Sequence, residues 1–137
     1  MYNTDKPFMI ERIVASLSYL TMGFAGFIWL LLSLFTRAQL RPFLQYHIFQ
    51  SIFLSIALVL ISILIGFITN FLSVIPIINK IVAQIIFYLN MPFFTGFSII
   101  QLLIYTLIIY LAVTSFMGKY SYIPYISEII DQNIGRR

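Results

Sequence analysis

Cysteine is missing altogether, which removes disulfides, thiolate nucleophiles, thiolate metal sites and iron–sulfur clusters together. Histidine occurs once, at His47, so no histidine-cluster metal centre can be assembled. Charge is almost as scarce: 9% of the 137 residues are charged, against the quarter or so (about 25%) of a water-soluble domain. The four acids, Asp5, Glu11, Glu128 and Asp131, all lie within the first eleven or last ten residues. No acid therefore falls inside an apolar run, where ion-coupled transport or an aspartyl protease would need one. The eight Lys and Arg give a formal charge of +4, but they stand singly or in pairs at the ends of apolar runs. That is the distribution of membrane anchors, and it excludes a nucleic-acid surface.

What remains is apolar, at 61% of the chain. Uncharged runs over 13–36 (24 residues), 42–79 (38) and 81–118 (38) make up 100 of the 137 residues. An apolar helix of about 20 residues crosses a hydrocarbon core of roughly 30 Å. The expectation is an all-α integral membrane protein forming a single membrane domain over 1–137. Three long transmembrane helices are expected over 13–36, 43–70 and 93–117, with a shorter or re-entrant fourth hydrophobic segment over 71–90 and an amphipathic C-terminal helix over 124–134. The count of crossings, three or four, is left open. The space outside the runs is too small for a soluble catalytic domain, and neither an enzyme nor a cofactor is expected. The first run is longer than the apolar core of a signal peptide, and the acids before it are unlike a transit peptide, so it reads as a retained helix.

Within the first run, Ser16, Gly23, Gly26 and Ser33 form a small-residue stripe suited to close helix packing. Length favours one span; the paired glycines leave open a break into two half-helices. Counting Lys and Arg on each side favours the broken form, seven against one, over the single span, five against three. Either way the tail is expected on the cytoplasmic or stromal side. In the second run His47, Ser51, Ser55 and Ser62 share one helical face. Pro76, Asn79, Lys80 and Asn90 interrupt the 71–90 segment. In the tail, Ile126, Ile129, Ile130 and Ile134 oppose Glu128, Asp131 and Gln132, as in a helix lying in the headgroup region.

Few side chains offer chemistry. His47 is the one group that titrates near neutrality, and its expected role is a helix-end bond to a backbone carbonyl or interfacial water. Gln84 and Gln101 are expected to join helices through their amides. No Gly-x-Ser-x-Gly, His-Glu-x-x-His or glycine-rich phosphate loop is present.

Three stretches resemble one family. RIVASLSYL at 12–20 is similar to its opening Arg-x-x-Ala-Cys-Leu-Pro-Tyr-Leu, matching at Arg12, Tyr19 and Leu20 with Ser16 and Ser18 departing. FLQYHIFQS at 43–51 resembles Phe-x-Arg-Phe-(Asn/His)-x-x-Gln-Ala, with Phe43, His47 and Gln50 in register and Gln45 in place of Arg. GKYSYIPYISE at 118–128 is similar to Gly-x-Tyr-x-(Glu/Asp)-Ile-Pro-x-Ile-Ser-Glu, matching at Gly118, Tyr120, Ile123, Pro124, Ser127 and Glu128, with Tyr122 replacing the acid. The family is the 20-kilodalton subunit of the translocon at the inner envelope of chloroplasts, with its cyanobacterial relatives, which usually carry an extra segment after the Tyr-Leu motif.

The resemblance implies a non-enzymatic subunit of a protein-translocation complex in the plastid inner envelope or a cyanobacterial inner or thylakoid membrane. It implies other translocon subunits as partners, with precursor polypeptides as cargo. The lipid bilayer and a second copy of the chain are further expected partners, and nucleic acid is not. The alternatives are a small solute or ion channel, with His47, Ser51, Ser55 and Ser62 lining a wet path, or a bacterial membrane protein of another role.

Overall fold

The computed structural model describes residues 6–134, which form six helices and one small hairpin. Arg136 and Arg137, used in counting topology, lie outside the described residues, as do Asp5 and the side chain of Ile134.

Helix α1 spans Met9–Leu20. Its start is fixed by Glu11, whose carboxylate accepts the Phe8 N–H at 2.9 Å and so satisfies a donor that has no partner within the helix. It ends where Met22 and Gly23 take φ of 56° and 86° and their N–H groups turn back to the carbonyls of Tyr19 and Ser18. Helix α2, Phe24–Thr36, then packs back on α1 with Gly26 against the Ser18 hydroxyl. It is closed by Arg37 at φ 52° and by an Ala38 N–H to Ser33 carbonyl bond of 3.0 Å.

Helix α3, Pro42–Leu72, and helix α4, Pro76–Asn90, each begin on a proline, whose fixed φ and missing N–H suit a first turn. Strands β1 (Pro92–Phe94) and β2 (Phe97–Ser98) pair antiparallel around Thr95 and Gly96. Those two residues hold φ of 49° and 86°, as a two-residue hairpin turn requires. Helix α5, Ile99–Phe116, opens on a reciprocal box in which Gln101 N–H meets Ser98 Oγ and Ser98 N–H meets Gln101 Oε1, at 3.3 and 3.1 Å. Helix α6 is Ile126–Ile134.

Three long crossing helices do not form, and that expectation is corrected. Run 13–36 is divided by the turn at Thr21–Gly23, because a helix cannot continue through two consecutive positive φ values. Run 93–117 loses its first turns to the hairpin, leaving 18 residues of helix. Among the described residues two helices, α3 and α5, are long and apolar enough to cross a membrane by length and composition. The tail is corrected too: it does not lie apart as a peripheral helix, since Ser127 and Ile130 are 0% and 1% exposed within a packed core. Gln101 does not join helices; it caps its own.

The chain divides into two compact units. The first combines Met1–Ile56 with Ile108–Arg137. Its apolar core is Val14, Ala15, Phe43, Leu44 and Ile48, with Trp29, Leu30, Leu40 and Ile52 packed around them. Each fully buried large side chain of this kind contributes roughly 1.5–3 kcal/mol. Arg41 and Glu11 add an ion pair at 3.1 Å. The second unit, Ala57–Leu107, has a different character: Ser98 is its only buried residue, while Phe67, Phe71, Ile77 and Phe87 are exposed.

Candidate functional site

The polar side chains of the first unit converge on one buried cluster. The first half of α3 projects Tyr46, His47, Gln50 and Ser51 inward, and none is more than 2% exposed. Residues 46 and 50 are one helical turn apart, so Tyr46 and Gln50 meet the same neighbours. Those neighbours are Tyr19 and Ser18 on α1, the segment between α5 and α6, and Ser127 on α6.

The proton accounting closes around Gln50. Its Nε2 donates to the Ser121 carbonyl at 3.2 Å and to Ser127 Oγ at 2.9 Å, while its Oε1 accepts from Ser121 Oγ at 3.0 Å. Ser127 Oγ also accepts the Ile123 N–H at 2.7 Å, which leaves its own proton for the Tyr46 oxygen at 2.9 Å. The Tyr46 proton goes to the Ser121 carbonyl. An amide buried this way is satisfied on every side, the condition under which a buried polar group ceases to be a penalty.

Tyr19 is the branch point. Its hydroxyl stands within hydrogen-bond reach of both Gln50 Oε1 and His47 Nδ1, the latter at 2.8 Å, and it has one proton to give. His47 Nε2 lies 3.0 Å from the Lys119 carbonyl, which can only accept, so Nε2 carries a proton. Two arrangements follow. With a neutral ring, Tyr19 donates to Nδ1; with a doubly protonated ring, Nδ1 donates to Tyr19 and Tyr19 donates to Gln50. Aromatic rings enclose the imidazole: Phe43 at 4.5 Å and Tyr46 at 5.3 Å present edges, and Tyr120 stacks at 5.8 Å. Burial pushes the Tyr19 phenol well above its ordinary ionisation range. Tyr122 is exposed and is also raised, chiefly because it donates to the Glu128 carboxylate at 2.9 Å.

The residues singled out from the sequence are brought together unevenly. Tyr19, Phe43, His47, Gln50, Tyr120 and Ser127 all meet in the cluster, and Ile123 supplies a backbone donor to it. Arg12 lies apart, donating its Nε to the Phe116 carbonyl and resting over that ring at 5.3 Å. Gly118 sits at φ 76°, where a Cβ would come 3.1 Å from Pro7. The Pro124 carbonyl accepts the Ile126 N–H at 2.8 Å, Glu128 holds Tyr122, and Leu20 is exposed. Ser51, read from its place on the His47 face, and Ser18 also belong to the cluster, as do Tyr46 and Ser121, which were not singled out. The Tyr46–Gln50 spacing of one turn was the available signal.

The polar faces expected to line a pore are therefore used internally. Ser51 meets Ser18, Ser55 donates to the Met22 carbonyl, and Ser62 donates to Leu58 within its own helix at 2.8 Å. Among the described residues no group of three or more His, Asp or Glu is placed to hold a metal ion. Comparison with known proteins finds no family model, no curated protein and no solved structure that matches the chain.

Two corrections result. The translocation-subunit reading is withdrawn, because Tyr19, Phe43, His47, Gln50 and Ser127, which carried much of the resemblance, fold with Ser51 of the serine face into a buried core; the channel alternative fails on the same finding. The integral-membrane placement in a plastid inner envelope or cyanobacterial membrane, with three or four spans and a stromal or cytoplasmic tail, rested on that helix count and that resemblance. It is withdrawn with them.

Proposed function

We propose that the chain is a non-enzymatic protein whose partner is a lipid bilayer, with the Ala57–Leu107 unit as the contact surface. The observation that carries this reading is that Ser98 alone is buried in that unit, while apolar side chains face outward on all sides of its helices. Apolar surface left in water costs about 25 cal/mol per Å², and patches beyond a few hundred Å² mark partner sites. Lys80 is its one charged side chain, and no acid is present to repel an anionic lipid surface. Supporting the non-enzymatic reading, the imidazole of His47 is 0% exposed and walled by rings.

Flotation with vesicles of phosphatidylcholine and phosphatidylglycerol tests the reading. The full chain is expected to rise with the vesicles and to stay with them in high salt. Recovery as a monodisperse species in lipid-free buffer, whether monomer or discrete oligomer, would overturn it.

A further inference from the structure

The first unit holds an open cavity of about 540 Å³ between the end of α2 and the start of α3. That size falls within the range of small-molecule sites, about 300–1,000 Å³. Leu30, Leu34, Leu40 and Phe49 form its apolar wall, and Arg37, Gln39 and Gln45 contribute polar side chains. In the buried cluster Tyr19, Tyr46, Gln50, Ser121 and Ser127 all have partners, whereas Arg37, Gln39 and Gln45 make no side-chain hydrogen bond or ion pair among the described residues. Arg37 is held at this place by its backbone: φ 52° at the end of α2 stops the helix and fixes where the side chain leaves it. Gln45 lies in the first turn of α3, where the helix dipole is positive. No acid lines the cavity, and Glu11 is already held by Arg41 and the Phe8 N–H.

We infer that this cavity binds an anionic amphiphile: an acyl chain lying against the leucines and Phe49, with a terminal carboxylate or phosphate on Arg37. The guanidinium fork matches the two oxygens of either group, and an ionic hydrogen bond there is stronger than a neutral one. The site is independent of the bilayer reading, since it lies wholly in the other unit.

The protein supplies its own reporter. Trp29 is the one tryptophan, and it lines a smaller cavity of about 280 Å³ that shares Ser33, Ala38 and Leu40 with the first. Purified full-length chain in a non-ionic detergent is titrated with dibromostearate, with its uncharged methyl ester, and with a brominated lysophosphatidate, while Trp29 emission is followed. Bromine quenches on contact, and the ester corrects for partition into micelles. Half-quenching is expected at a concentration on the order of tenfold lower for the anions than for the ester. The carboxylate and phosphate arms distinguish a free fatty acid from a lipid head. Arg37→Asn, which tolerates the left-handed backbone, is expected to erase the difference. Equal quenching by acid and ester in the native chain, or an anion preference that survives in Arg37→Asn, would overturn the site.

Discussion

Gln50 and Ser127 are separated by 77 residues of chain and joined by a hydrogen bond of 2.9 Å in which neither partner is exposed. The bond ties the first half of α3 to α6, and the same carboxamide holds Ser121 and meets Tyr19. Replacing it therefore strands several groups at once.

Gln50→Leu keeps most of the volume and removes every one of those bonds. A buried donor or acceptor left without a partner costs about 1–3 kcal/mol, and more than one is left here. The expected loss is about 3–5 kcal/mol in chemical denaturation followed by Trp29 emission. A loss under about 1 kcal/mol would mean that water enters and replaces the amide.

Alkaline pH tests the burial of Tyr19. The unfolded chain ionises this phenol at its ordinary value of 10.0, whereas the folded chain keeps the proton to much higher pH. A raised folded value means a contribution that is whole below pH 10.0 and is lost as pH climbs above it. The slope is about 1.4 kcal/mol per pH unit for one such group. Tyr19→Phe should be less stable at neutral pH, having lost bonds to His47 and Gln50, yet should fall less steeply between about pH 10 and about pH 12. Parallel slopes for the two proteins would contradict the buried placement.

Gly26 and Ser18 form a matched pair. A Cβ on residue 26 would collide with the Ser18 hydroxyl, which is itself engaged with Ser51. Gly26→Ala is expected to destabilise by about 1–3 kcal/mol, as overpacking does in close-packed interiors. Ser18→Gly on the same chain should return part of that loss, and a double-mutant cycle reads the coupling directly. Strictly additive effects would show that α1 and α2 do not meet at this point.

The extent of α3 was legible because its sequence is a long helical pattern between two prolines, and the grouping of His47 with Ser51 on one face followed from spacing alone. What that face met was not legible. Periodicity identifies a polar stripe but is silent on whether water, a pore or another helix lies opposite. Here Tyr19, Ser121 and Ser127 supply the partners, and two of those come from more than 70 residues away. A break between α1 and α2 was one of the two alternatives the paired glycines left open; its start at Met22 was not legible, because that residue takes a left-handed conformation that its side chain gives no reason to expect. The hairpin had a clearer mark, Thr95-Gly96 between aromatic residues, but the surrounding apolar run obscured it.

The first unit is discontinuous, its two parts separated by the 57–107 segment, and this has a consequence during synthesis. Tyr46, His47 and Gln50 leave the ribosome long before Lys119, Ser121 and Ser127 exist to pair with them. The interval is 71–81 residues. At about 5–20 residues per second it lasts roughly 4–16 seconds. Throughout that time the partners that Lys119, Ser121 and Ser127 supply to an amide, an imidazole and a phenol are still to come, and the most apolar stretch of the chain emerges meanwhile. The 57–107 segment is therefore synthesised in full before the first unit can close, so an order of emergence is written into the connectivity of the chain.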